Sequence, residues 1–369
     1  MSTFTAAHAS KLTEYVHMSG TAGSRSDYVQ GGGGNTSVKV DNKLMAIKAS
    51  GFRLDQITSD NAYAVIDYAA VRAFYENTDP AALSDVEKEG SAQAKAATLA
   101  IEGLPQLRPS VEVGFHSLLD TFVLHTHPVY ANLAGCATDG PQILDKALAG
   151  LSETHAFVPY INPGAQLTFE IGKARRAVAE KTGRKPAIIL MQNHGLVITA
   201  ADGETCLRLN DEVNKRIAAE FGVCGNDWPA IQIAPGTAEN TWISKTPWLH
   251  DHLLNTPWDL DFFTKQSLYP DQLVFLAGQL GVIDKCKLSS TLAKGLPLTD
   301  KCTIFRETGD VYYQCGRNEA KTIEETLCAI FITGTIKRTG RTVCTMDESG
   351  KSFISGWESE KYRRSLASK

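Results

Sequence analysis

Phe122-Val123-Leu124-His125-Thr126-His127-Pro128 is the stretch on which the reading of this chain turns. Its first half is apolar, and side chains alternate faces along a strand, so the rings of His125 and His127 leave one face two residues apart. Two imidazoles so placed can reach one ion. Pro128 cannot donate to a ladder, which predicts that the strand ends there and both rings sit at a sheet rim, where a ligand can approach. A His-x-His pair at a strand end can supply two nitrogens to zinc at about 2.0 to 2.1 Å. Two half-exposed rim histidines with no ligand would read the same way.

Two other places bear on the choice. Upstream, Pro109-Ser110-Val111-Glu112-Val113-Gly114-Phe115-His116 reads as a helix start with Ser110 as N-cap and Glu112 in the first turn. Downstream, Ala187-Ile188-Ile189-Leu190-Met191 suits a buried strand that stops at Gln192-Asn193-His194-Gly195, where the glycine permits a tight turn. His194 is then a third imidazole at a strand end. Three histidines and a carboxylate make either a closed four-coordinate site or three ligands with one open position, and chemistry needs the open one.

The order Gly33-Gly34-Asn35-Thr36-Ser37, Ser50-Gly51, Ser110-x-Glu112, His125-x-His127-Pro128, Asn193-His194-Gly195 resembles the class II aldolase and adducin family. That family includes fuculose phosphate and rhamnulose phosphate aldolases, ribulose phosphate 4-epimerases and methylthioribulose phosphate dehydratases. The motifs span residues 31 to 195, and the resemblance runs to roughly residue 225. It implies a three-layer α/β/α sandwich with a mixed, largely antiparallel sheet over residues 1–225. A smaller α+β extension over 226–369 is expected to follow, as in longer relatives.

The resemblance also implies roles. His125, His127 and His194 would hold zinc, or alternatively manganese, iron or cobalt, and Glu112 would be the general acid/base. Gly34, Asn35, Ser50, Gly51 and Ser110 would hold a substrate phosphate. Lys48 could add a charge or be a solvated strand-edge lysine. Tyr160 is a candidate proton donor, with a core tyrosine as the other reading. His116, one turn after Glu112, could orient it or simply pack. The implied reaction is cleavage of a ketose phosphate by retro-aldol chemistry through a metal-stabilised enediolate. Epimerisation, dehydration or decarboxylation would use the same intermediate, and adducin-like members are non-enzymatic interaction modules. A homotetramer is the implied assembly.

Composition excludes other classes. A net charge of -4 and a pI near 6.2 give no reason to expect a nucleic-acid or anionic-membrane partner. The start of the chain lacks a basic region followed by an apolar core, so no secretory signal is expected, and no apolar run approaches ~20 residues. A cytoplasmic location is the default. Eight cysteines, with no Cys-x-x-Cys pair among them, read as reduced apolar fillers rather than a zinc ribbon or redox motif. Neither a P-loop nor a Gly-x-Gly-x-x-Gly dinucleotide turn is present.

Along the chain, residues 5–19 read as an amphipathic first helix. Gly31-Gly32-Gly33-Gly34 implies positive φ angles or a close backbone approach. Asp41-Asn42-Lys43 turns a hairpin between Thr36–Val40 and Leu44–Lys48. A helical pattern runs through Val65, Tyr68, Val71, Arg72 and Tyr75, and residues 76–100 read as a polar turn and an exposed helix inserted over the site or against another subunit. Leu167–Thr182 is expected to be a helix ended by Gly183, and Asp202-Gly203-Glu204 opens another. Residues 223–250 read as a linker, followed by strands at Leu273–Leu276, Thr303–Glu307 and Val311–Cys315 and a helix from Thr322 to about Lys337. His250 and His252 read as surface or interface residues, and Arg363-Arg364 as a solvated tail.

Overall fold

The run Ile188-Ile189-Leu190-Met191, apolar at every position, offers no face to water and as a strand must be covered on both sides; the sheet it joins is so covered. The computed structural model describes residues 2–224, 227–293 and 298–356. They form two units. The first runs to Glu220 apart from Cys136–Thr138, and the second holds that short insert and the chain from Phe221.

The sheet of the first unit has eight strands: β1 (Asn35–Lys39), β2 (Leu44–Lys48), β3 (Tyr63–Asp67), β4 (Thr98–Leu99), β5 (Phe122–Thr126), β6 (His155–Val158), β7 (Ile188–Met191) and β8 (Gly195–Ala200). Their order is β4-β3-β2-β1-β5-β8-β7-β6, and only β6 and β7 are parallel neighbours. The helices are α1 (Thr3–Ala7), α2 (Ala9–Gly23), α3 (Tyr68–Asn77), α4 (Val86–Ala97), α5 (Val113–Leu118), α6 (Ala131–Gly135), α7 (Gly140–Ala147), α8 (Ala165–Thr182) and α9 (Gly203–Glu220). On one side α2, α6 and α7 pack with α9; on the other α3, α4, α5 and α8 pack together. This is the mixed, largely antiparallel α/β/α sandwich.

The layering follows from strand alternation. Val123, Ile189 and Val197 face one way and bury against Phe115, Leu167 and Ile171 of α5 and α8. Each apolar side chain so buried contributes about 1.5 to 3 kcal/mol. His125 continues the Val123 row, so its ring emerges on the α5 side, edge-on to Phe115. Thr126 points the other way and donates to Asn210 Oδ1 of α9 at 2.9 Å.

Local readings failed where one pattern spanned two elements. The helix expected through Val65 starts at Tyr68, because Tyr63–Asp67 is strand β3, buried on both faces and therefore without the alternation that marks a strand. The first helix breaks at His8 into α1 and α2. The expected hairpin is β1 and β2, paired Ser37 with Ile47. The exposed helix of residues 76–100 is α4, and its Glu87 caps α8 by accepting from the N–H groups of Ala165 and Gln166, both at 2.9 Å.

The second unit is an α+β extension. Its sheet has the order β11-β12-β13-β10-β9, from β9 (Ile233–Pro235), β10 (Thr241–Ser244), β11 (Leu280–Ile283), β12 (Cys302–Phe305) and β13 (Asp310–Gln314). Its helices are α10 (Pro247–Asn255), α11 (Leu260–Thr264), α12 (Pro270–Phe275), α13 (Leu288–Ala293), α14 (Arg317–Thr333), α15 (Thr335–Arg338) and α16 (Glu348–Gly356). Leu273–Leu276 is thus not a strand: Pro270 at the first helical turn starts a helix there. The linker contains two strands, and the last long helix opens at Arg317, five residues before the expected start. His250 and His252 lie on α10, where His252 stacks on Trp248. Cys206 and Cys328 are buried free thiols, as the composition implied. Arg363-Arg364 lies outside the described residues. No described helix is long and apolar enough to cross a membrane.

Candidate metal centre

The site is built at the end of β5. Strand β5 stops at Thr126, one residue before His127, and the His125 and His127 rings lie 4.9 Å apart on one face. Strand β7 ends at Met191, and the turn to β8 delivers His194, whose ring centroid is 5.0 Å from that of His125 and 5.1 Å from that of His127. All three are buried, at 0%, 4% and 3% exposure, which removes the half-exposed reading of the pair.

The turn works differently from its sequence reading. The residue with positive φ is Asn193, at 51°, while Gly195 is needed for proximity: a Cβ there would lie 2.3 Å from the Thr126 carbonyl and 3.2 Å from His125 Cε1. Gly34 has both constraints. Its φ is +67°, and a Cβ would lie 2.4 Å from the His125 carbonyl oxygen. Gly34, the last residue of the four-glycine run, therefore lies directly against the strand that carries His125.

Glu112 comes from the opposite layer. Helix α5 starts at Val113, so Glu112 is its N-cap position rather than a first-turn residue, and its side chain makes no cap. Ser110 is not the N-cap; its Oγ instead accepts from the Glu112 N–H at 3.4 Å. The freed carboxylate turns to the imidazoles, with Oε2 3.4 Å from His125 Nε2 and Oε1 3.4 Å from His194 Nε2.

These spacings test the fit of a cation. Two donors each about 2.05 Å from a tetrahedral centre are about 3.3 Å apart. His125 Nε2 and His127 Nε2 are 3.2 Å apart, and the two carboxylate-to-imidazole distances are 3.4 Å. The ligand atoms of the three histidines lie within 4.8 Å of one another. His125 Nδ1 lies 3.0 Å from the Leu196 carbonyl, which can only accept, so the ring proton is on Nδ1 and Nε2 presents a lone pair to the centre. Glu112 Oε1 is buried and accepts no hydrogen bond from the described residues. Lone pairs converging at this spacing suit a divalent ion.

A polar chain holds the carboxylate. Asn35 Nδ2 donates to Glu112 Oε2 at 2.6 Å and to Ser110 Oγ at 3.1 Å, and Asn35 Oδ1 accepts from His116 Nε2. His116 Nδ1 in turn accepts from Ser37 Oγ at 2.7 Å. Burial holds the His116 ring well below the usual histidine range, with the neighbouring His125 and Lys39 working in the same direction, so it is neutral and donates from one nitrogen only. His116 acts on Glu112 through Asn35. Sequence reasoning missed this relay because Ser37, His116 and Asn35 meet only across β1 and α5; the Glu-x-x-x-His spacing was the one available signal.

The remaining candidates are also placed. The Ser50 N–H donates to the Arg108 carbonyl at 2.8 Å and the Ser110 N–H to the Lys48 carbonyl at 3.1 Å, so Ser50, Gly51 and Ser110 are brought together. Gly51 has φ of 90°. Lys48 is buried at 5% exposure, not a solvated edge residue, and its Nζ donates to the Phe52 carbonyl at 2.5 Å. Tyr160 is half-buried. Its hydroxyl donates to Asn162 Oδ1 at 3.2 Å, and its N–H to Gln192 Oε1 at 3.1 Å, two residues before His194.

Against known proteins, a family model described as the Class II Aldolase and Adducin N-terminal domain matches residues 16–220. Over 227 residues the chain is 26% identical to a Bacillus subtilis (strain 168) protein named uncharacterized oxidoreductase YuxG; the match covers 55% of this chain and 30% of that protein. The chain therefore spans less than a third of the length of this curated relative. It is similar, at 23% identity and a TM-score of 0.46, to the N-terminal class II aldolase domain of a conserved protein from Thermoplasma acidophilum, over 56% of this chain and 92% of that one. A sugar-phosphate aldolase from Thermotoga maritima is similar at 12% identity and a TM-score of 0.41, over 57% and 93%.

Proposed function

Because the chain belongs to the class II aldolase and adducin family, we propose that it is a divalent-metal-dependent aldehyde-lyase that cleaves a ketose phosphate by retro-aldol chemistry. The observation that supports this most directly is the spacing of 3.2 to 3.4 Å among His125, His127, His194 and the Glu112 oxygens. His125, His127 and His194 are the proposed ligands, with zinc as first choice and manganese, iron or cobalt as alternatives. When bound, such an ion supplies Lewis-acid polarisation of a substrate carbonyl.

The chain's own residues do the rest. Glu112, aimed at the site and held by Asn35, moves the proton at the substrate's hydroxylated carbon. Gly34 and Gly51 offer the phosphate their N–H groups, and Ser50 and Ser110, whose own N–H groups are taken by backbone carbonyls, offer it their hydroxyls. Asn35 and Lys48, first grouped with them, take supporting parts: Asn35 positions Glu112, and Lys48 braces the 48–52 segment through the Phe52 carbonyl. Tyr160 is the proposed proton donor to the aldehyde oxygen in the condensation direction, and by the same path it takes up the hydroxyl proton when cleavage releases the aldehyde. The residue ranges 1–225 and 226–369 are the proposed catalytic domain and extension, and a cytoplasmic homotetramer is the proposed working form.

Screening phosphorylated and free ketoses for aldehyde release, alongside phosphate release, tests the reaction. Aldehyde from a phosphorylated ketose is the expected result; epimer or dehydration product instead would move the chain to another branch of the family. Glu112→Gln should retain metal while turnover falls at least ~100-fold. Full activity in that variant would remove Glu112 from its role. Protein purified without chelator that neither retains nor binds a divalent ion would favour a non-enzymatic interaction module.

A further inference from the structure

The end of β1 away from the imidazoles carries a second charged cavity. It measures about 390 Å3 and is lined by Lys39, Arg72, Arg175 and Lys185 together with Asp120 and Glu76. Lys39 closes β1, and its N–H bonds the Thr121 carbonyl just before β5. Asn35 opens β1 opposite His125. The two are four residue steps apart, so the cavity and the imidazole site are about 13 Å apart along the sheet.

Three of the cations converge on the last carbonyls of α5. Lys39 Nζ donates to the carbonyls of His116 and Asp120, both at 2.7 Å. Arg72 donates to the Ser117 carbonyl at 2.8 Å and the Leu119 carbonyl at 3.2 Å, and Arg175 to the Leu118 carbonyl. A cation suits a helix C-terminus, but the partial charge there is only about half of one elementary charge. The two guanidinium charges alone already exceed it. The carboxylate nearest in the pairing with Arg175 is Asp120, at 3.9 Å and 53% exposed.

Arg175 itself is 7% exposed, and its Nε donates no hydrogen bond to any described residue. Burial pushes the Lys39 ammonium well below the usual lysine range, and the Arg72 and Arg175 charges push it further against the pull of Asp120; burial also lowers Arg175, with Arg72 adding to it and Asp120 and Glu76 opposing. Carbonyl dipoles orient these groups without neutralising them. A volume of this size also lies in the range of small-molecule sites, roughly 300 to 1,000 Å3.

We propose that this cavity is an anion site, separate from the imidazole site, that takes a phosphate group. Guanidinium forks and an ammonium arriving from β1, α3 and α8 present donors in several directions, which suits a tetrahedral oxyanion better than a planar carboxylate. The phosphate can be a free ion or the head of a small phosphorylated metabolite.

Calorimetric titration of the full chain at constant ionic strength in chloride tests this, first with inorganic phosphate and then with glycerol 3-phosphate. Phosphate should bind wild type and also Ser110→Ala, which alters the proposed substrate pocket only. Arg175→Gln should weaken binding at least ~10-fold. Lys185→Gln changes an exposed lining residue and leaves the α5 carbonyls alone; it should weaken binding about 3-fold with an unchanged melting temperature. Glycerol 3-phosphate should compete for the same Arg175-dependent site, tighter binding marking a metabolite and weaker binding the free ion. No phosphate binding to wild type overturns the proposal. So does binding that falls with Ser110→Ala but not with Arg175→Gln or Lys185→Gln. Should Arg175→Gln fail to fold, an undiminished affinity in Lys185→Gln overturns it alone.

Discussion

The two ends of β1 pose opposite electrical problems. At its first residue Asn35 sits beside a carboxylate and converging imidazole lone pairs; at its last, Lys39 sits beside two guanidinium groups. Both ends are assembled from the same elements, since Glu112 precedes α5 and the carbonyls at the finish of α5 receive the three cations. They differ in how the chain answers the charge. At the imidazole end, partners such as the Leu196 carbonyl and Asn35 fix each donor's direction and proton. At the other end, dipoles fix direction only, and the net charge persists. Orientation and neutralisation are separate requirements, and this molecule separates them along one strand.

The comparison breaks most severely if an imidazole is removed. His194→Ala should lower metal affinity more than ~100-fold, beyond the 10- to 100-fold scale of an outer partner, as read by metal content after dialysis against a weak chelator. Phosphate affinity at the far end should not change; a parallel loss would mean that the two ends are one site. Asn35→Ala leaves the ligands in place but takes the partner from Glu112 Oε2 and from His116, so metal should be retained while turnover falls ~10- to 100-fold. A turnover equal to wild type would make the relay a packing feature.

Gly34→Ala tests how closely the loop must pass. A Cβ 2.4 Å from the His125 carbonyl at a positive φ should cost about 1 to 3 kcal/mol in urea unfolding. An unshifted midpoint would show that the β1–β5 junction gives way freely. The smallest effect is expected at Lys39, which faces Arg72, Arg175, Asp120 and His116. Its folded pKa lies well below that of an unfolded lysine, about 10.4. Between those two values the unfolded chain binds more protons, so stability rises with pH there; the penalty is fully present below the folded value and gone above the unfolded one. Lys39→Met should flatten that alkaline rise, measured by unfolding from about pH 8 to 10. Saturating phosphate should flatten it in wild type as well, by restoring the folded pKa.

The imidazole end was legible in the sequence because its parts obey short-range rules. His125-x-His127 needs only strand alternation, and His194 only the end of an apolar run. The cationic end was not, because Lys39, Arg72 and Arg175 come from three elements and meet through carbonyls, which carry no side-chain signature. Asn35 shows the same limit within the recognised motif: its type and position were read, but its commitment to Glu112 and His116 depends on α5 lying over β1. In the second unit, Leu273-Val274-Phe275-Leu276 was read as a strand because four apolar residues show no period, and Pro270 was the overlooked signal. Val65 was drawn into a helix for a related reason, as β3 is buried on both faces.

Helix α5 has six residues and is about 9 Å long, with Glu112 at one extremity and the cation-bound carbonyls at the other. So short a rod transmits axial movement almost undiminished, and a displacement of 1 Å at a reacting group can cost ~100-fold in rate. A mutational scan scored on turnover alone would therefore rank Arg72 and Arg175 among the chemically active side chains, although each meets the rod only at its far tip. Metal content and anion affinity, measured on the same variants, would separate leverage from chemistry.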